Sequence, residues 1–163
     1  MLEQHAQGIA PDGLPFQLFT LQNTQGMRVQ FTDWGATWTS CRVPVNGELR
    51  EVLLGCKLEA YPVQQAYLGT SVGRYANRIE NAQFPLNDKT VTLTANQGTH
   101  QLHGGVNGFD KRRWALEKCG ENFVCFSLHS ADGDQGFPGN VDVTVTYTLT
   151  EENSVKIEYA GKS

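Results

Sequence analysis

From Val141 to Leu149 the chain reads VDVTVTYTL, with an apolar residue at every second position, and no stretch of comparable length repeats at helical spacing. A side-chain period of two belongs to a half-buried strand, so this segment needs a core on one face and water on the other. The same alternation returns at Phe16 to Asn23, at Met27, Val29 and Phe31, at Thr37 to Arg42, and at Val155, Ile157 and Tyr159, while Phe123 to Ser130 reads as one strand of a hairpin. Gln25-Gly26, Asn46-Gly47, Asn87-Asp88, Gly120-Glu121-Asn122 and Glu151 to Asn153 supply turn chemistry between these runs. Glu51 to Leu54, Ile79 to Leu86, Thr90 to Thr94 and Trp114 to Cys119 read as further strands, and Tyr67 to Val72 as a short buried one. Tyr61-Pro62 blocks a continuous helix, which leaves Gly55 to Ala66 as loop with one helical turn. No fixed repeat or linker divides the chain, and the pattern predicts an all-β fold: one antiparallel β-sandwich domain over residues 1–163.

Composition removes several classes of function. A length of 163 residues suffices for one real core but hardly for two. A formal charge of -4 argues against nucleic acid as a partner, because neutralising phosphates needs a basic surface. No apolar run has bilayer length, and the opening MLEQHAQGIAPDG lacks a basic, apolar leader, so no membrane partner is expected and a cytoplasmic location is. Cys41, Cys56, Cys119 and Cys125 form no CxxC pair and read as reduced thiols, although Cys119 and Cys125 share a predicted hairpin and could face each other.

Chemistry concentrates between Gly73 and Trp114. Asn77 and Arg78 stand on one side of a predicted hairpin, and His103, followed by Gly104 and Gly105, stands on the other, so the hairpin can return the imidazole to the amide and guanidinium. Arg offers a fixed fork of donors, Asn both donors and an acceptor, and His an unperturbed pKa of about 6.5. That set suits a neutral polyhydroxylated ligand, with glycines that let it approach the backbone. Tyr67, Tyr75, Phe109 and Trp114 can each supply an apolar face for a sugar ring, and the sequence does not choose among them. The run from Ala95 to Arg113 is too long for an idle connection, while Asp110 to Arg113 reads as a charged loop end. His100 and His103 lack a third ligand at useful spacing, and Asp132-Gly133-Asp134 lacks the later ligands of a calcium loop. No metal site is expected, and no glycine pattern supports a nucleotide.

GRYANRI, LHGG followed by GFDKRRW, DGDQGFPGN before an alternating strand, and DWGAT near the start resemble, in this order, the N-terminal half of the aldose 1-epimerase (galactose mutarotase) family. The resemblance implies a β-supersandwich that interconverts the α and β anomers of aldohexoses such as galactose and glucose without a cofactor. It implies that Asn77 and Arg78 bind sugar hydroxyls, and that His103 is an active-site histidine that binds the sugar and polarises its ring region. The family's general-acid His in a Thr-Asn-His stretch, its sugar-binding Asp and its general-base Glu have no counterpart here; His129, Asp132 and Asp134 lie in other motifs. The chain is therefore expected to be truncated, weakly active or inactive alone, and prone to self-association through unpaired sheet edges. Two alternatives stand beside this: a non-catalytic carbohydrate-binding remnant, and a protein like the hexose-6-phosphate epimerases.

Overall fold

The computed structural model describes residues 1–163. Five strands, β1 (Leu2–Gln7), β2 (Phe16–Gln22), β3 (Arg28–Thr32), β4 (Thr37–Val45) and β5 (Glu48–Glu51), form one antiparallel sheet in chain order. Two short ribbons follow: β6 (Arg78–Ile79) pairs with β9 (Gln101–Leu102), and β7 (Gln83–Leu86) with β8 (Lys89–Thr92). A second antiparallel sheet contains β10 (Ala115–Cys119), β11 (Phe123–Ser130), β12 (Val141–Leu149) and β13 (Val155–Lys162), again in order. Helical structure is confined to four three-residue 3-10 turns, among them Leu58–Ala60 in the segment expected to hold one helical turn.

The two sheets face each other across one core. Phe19, Leu21, Val29 and Phe31 come from the first sheet, and Val124, Phe126, Val145, Tyr147 and Leu149 from the second. Phe31 stacks on Tyr147 at 4.3 Å between ring centroids, and Phe19 meets Phe126 edge-on at 5.3 Å. The alternation in β12 is thereby explained: Val145, Tyr147 and Leu149 are buried and Asp142 is exposed. Each fully buried apolar side chain of this size contributes about 1.5–3 kcal/mol. The Tyr147 hydroxyl donates to the Ala36 carbonyl at 2.6 Å, which satisfies the one polar atom that ring carries into the core.

Four expectations need correction. Tyr67 to Val72 is not a strand, because Tyr67 and Gly69 take positive φ (53° and 62°) and the backbone cannot stay extended. The predicted strand from Ile79 to Leu86 is cut by the 3-10 turn Glu80–Ala82, where Asn81 sits at φ 51°. The strand after Asn46-Gly47 begins at Glu48, since a tight two-residue turn returns the chain at once; it is exposed throughout and therefore gives no apolar signal. β1 was invisible for the same reason, its outer residues being polar and its place fixed by backbone pairing with β2. Cys119 is exposed opposite Val124 and Cys125 is buried opposite Lys118, so the two thiols do not face each other.

Candidate functional site

The β7–β8 hairpin projects between β6 and β9, whose antiparallel pairing sets Arg78 opposite Leu102. His103 follows β9 directly, and Asn77 directly precedes β6. Their backbones join through the His103 N–H, which donates to the Asn77 carbonyl at 3.0 Å. The Asn77 N–H in turn donates to Nδ1 of His103 at 3.0 Å. The amide, guanidinium and imidazole singled out in the sequence thus meet at one place. Asn77 and His103 both sit at positive φ (69° and 50°), a region that residues other than glycine enter uncommonly.

An N–H can only donate, so Nδ1 of His103 must present its lone pair and the neutral ring carries its hydrogen on Nε2. Burial lowers the His103 pKa, and the Arg78 charge lowers it further, so the ring is neutral at pH 7. Arg78 donates from Nε to Gln97 Oε1 at 2.6 Å and from Nη1 to Asn77 Oδ1 at 3.2 Å. Those bonds hold the side chains in place while Nη2 of Arg78, Nδ2 of Asn77 and Nε2 of His103 keep hydrogens with no acceptor inside the chain. Asn77 and Arg78 are exposed and His103 is half-buried.

The structure separates the four aromatic candidates. Phe109 and Trp114 are buried and pack edge-on at 5.9 Å, with the indole N–H donating to the Phe109 carbonyl, so neither can meet a ligand. Tyr67 lies 4.3 Å from the His103 ring and backs it. Tyr75 is 52% exposed and, with Ile79, Phe84 and Phe137, lines an apolar cleft of about 340 Å³ that reaches Arg78. A second cleft of about 370 Å³ runs past Tyr67, Gln97 and Leu102. The largest cavity, about 500 Å³ beside Gln22, Leu149 and Glu151, contains none of these donors. His100 is engaged elsewhere: its Nδ1 accepts the Asn81 N–H at 3.0 Å.

Sequence reasoning missed the arginines that brace the site. Arg74 donates to the Ser130 hydroxyl and to the carbonyls of Ser130 and Ala131, each at 2.8 Å, and to that of Pro138 at 3.1 Å. Arg112, read as part of a charged loop end, instead grips both oxygens of Asp134 at 2.6 and 2.5 Å and the carbonyl of Asn107. Burial alone would raise the Asp134 pKa, but hydrogen bonds from Arg112 and Ser130 outweigh it and lower the value. Asp110 is buried as well, and burial pushes its pKa up. The turn residues of Asp132 to Gly139 announced a shaped loop, but no local signal named its distant partners.

A family model for aldose 1-epimerase matches residues 17–163. The chain belongs to the aldose 1-epimerase family. It is 74% identical over 161 residues to an aldose 1-epimerase of Haemophilus influenzae, covering 99% of this chain and 47% of that protein. It is 53% identical over 153 residues to the Escherichia coli aldose 1-epimerase, covering 93% and 44% respectively. A human galactose mutarotase is 42% identical over 125 residues, covering 76% and 36%. Among solved structures, a galactose 1-epimerase from Lactobacillus acidophilus superposes with a TM-score of 0.86 at 26% identity, over 100% of this chain and 48% of that one. An aldose epimerase homologue from C. elegans gives 0.85 at 33%, over 90% and 46%. The chain spans about half the length of the curated relatives it matches.

Proposed function

We propose that this chain serves the 1-epimerisation of aldohexoses such as galactose and glucose, acting in the cytoplasm, with Asn77, Arg78 and His103 binding the sugar. The observation that carries the reading is the set of three donors, Asn77 Nδ2, Arg78 Nη2 and His103 Nε2, fixed by bonds to neighbouring groups yet unspent within the chain. A pyranose offers hydroxyl and ring oxygens that accept such bonds, and Tyr75 offers an exposed ring face beside them. Changing an anomer requires a proton to leave the C1 hydroxyl while another reaches the ring oxygen; the ring opens, the C1–C2 bond turns, and closure occurs on the other face. These steps are proton transfers and need no cofactor.

In this scheme His103 is an electrophile rather than a base. Its Nδ1 is occupied and its Nε2 is protonated, so the ring donates to a sugar oxygen and draws electron density from the ring carbon–oxygen bond. Without an acid and base flanking the sugar, the roughly 10²- to 10⁴-fold contribution of general acid–base catalysis is absent. Fresh α-D-galactose with the purified chain is accordingly expected to lose optical rotation little faster than in buffer. Amide NMR during a galactose titration is expected to shift Asn77, Arg78 and His103. Affinity should hold above pH about 6.5 and fall as acid protonates Nδ1 and expels the Asn77 N–H. Unmoved amides at saturating galactose would leave this chain a structural remnant.

Self-association belongs to the same proposal. β13 pairs only with β12, and it carries Ile157 and Tyr159 at 43% and 59% exposure along an open edge. Such an edge is a template for another strand. Sedimentation velocity should give a mass that rises with concentration, and a single monomer species throughout would count against it.

A further inference from the structure

Gln135, in the loop between β11 and β12, sits at φ 52°, ψ 20°, a left-handed conformation that a side chain bears at a cost. Its neighbours explain why it is held there. The Gln135 carbonyl accepts the Thr94 N–H at 2.8 Å and the Gln101 amide at 3.5 Å. Its side-chain Oε1 accepts the Asn107 N–H at 3.2 Å and lies 2.5 Å from where a Cβ on Gly105 would stand. Gln101 is 1% exposed and lies two residues before His103; Gly105 lies two residues after it. Gln135 therefore touches the chain on both sides of the imidazole without touching the imidazole. The loop that delivers it is anchored independently by the Arg112–Asp134 pair and by Arg74.

We propose that Gln135 is a positioning residue for His103, a strut that fills the space behind Gly105 and fixes the turn from which the imidazole projects. The absent side chain at Gly105 is then a fitted feature: Oε1 occupies the place a Cβ would need. Constellations that bind or catalyse depend on such support, since a displacement of about 1 Å can cost up to about a hundredfold in function. The inference rests on the reading of His103 as a sugar ligand, but its test reads the imidazole itself.

The test uses the full chain with ¹⁵N-labelled histidine, comparing wild type with Gln135→Ala, Gln135→Glu and Asp132→Asn across pH. Wild type should show His103 with hydrogen on Nε2 and Nδ1 accepting. In Gln135→Ala the imidazole signals should move toward the tautomer mixture of a free ring, the Asn77 amide should shift, and galactose affinity should fall roughly tenfold. Gln135→Glu keeps an acceptor oxygen at the same reach and should restore the wild-type tautomer. Asp132→Asn weakens the bond from the Gly139 N–H in the same loop and should leave His103 unchanged. A folded Gln135→Ala with unaltered His103 signals would overturn the proposal. So would equal disturbance of His103 by Asp132→Asn, which would make the effect a property of the loop. Should Gln135→Ala fail to fold, Gln135→Asn withdraws the oxygen by one carbon and is judged by the same signals. Wild type that binds no galactose would remove the sugar reading while these signals still decide the role of Gln135.

Discussion

Gly104→Ala is expected to destabilise the fold by about 3–5 kcal/mol and, under the proposed sugar-binding role, to abolish galactose binding. Gly104 has φ 88°, and an added Cβ would lie 1.7 Å from the Gly73 carbonyl oxygen and 2.4 Å from its carbon. Both obstacles are backbone, so no rotamer change relieves them. The segment that must retreat is the one leading to Asn77 and Arg78, which is why the loss of binding should exceed what a global stability change explains. Gly133→Ala separates the two contributions: Gly133 shares a positive φ of 81° but has nothing within 4 Å of its added Cβ. It should cost only about 1 kcal/mol, the left-handed penalty alone. For a chain of this size the Gly104 change corresponds to a drop in melting temperature of roughly 10 °C or more. Near-identical melting curves for the two variants would refute the steric account.

The second large effect is expected at Arg113. Its guanidinium binds Asp12 through Nε and Nη2, Asp33 through Nη1, and the carbonyls of Leu14 and Pro15. Asp33 is only 4% exposed, and its other oxygen accepts the Gln17 N–H at 3.0 Å. Arg113→Ala leaves that carboxylate buried without a counter-charge, which typically costs about 3–5 kcal/mol. Arg113→Lys should recover only part, because an ammonium lacks the planar fork that spans two carboxylates. The hydrogen bond from Arg113 holds Asp12 below the usual carboxylate range. A carboxylate with a depressed folded pKa stabilises fully above its unfolded pKa, about 3.9, and loses that stabilisation as pH falls through the folded value. The gap between wild type and Arg113→Ala, measured by urea unfolding, should therefore narrow below pH about 4. A constant gap into strong acid would dissociate Asp12 from the effect.

β12 was legible because burial follows its alternation toward the end, and β2 and β13 fall on runs whose sequence alternates although their burial does not. β1 and β5 were lost because exposed edge strands need no apolar alternation. The meeting of the candidate residues was legible through a local device, since the Asn87-Asp88 turn returns β8 along β7 and brings His103 back to Asn77. The braces were not. Asp12 and Arg113 lie 101 residues apart and Arg74 and Ser130 lie 56 apart, and a charged side chain carries no mark of its partner. Phe109 and Trp114 read as possible sugar platforms because an aromatic ring looks alike in a sequence whether it faces a ligand or a core.

The reach of the Arg74 anchor bears on the order in which the molecule is made. Local hairpins such as β7–β8 close early, whereas contacts across 56 residues wait on the slow meeting of distant segments. A refolding chain should thus close the hairpin that joins Asn77 to His103 before Arg74 reaches Ser130, and the loop between β11 and β12 should be among the last parts to settle.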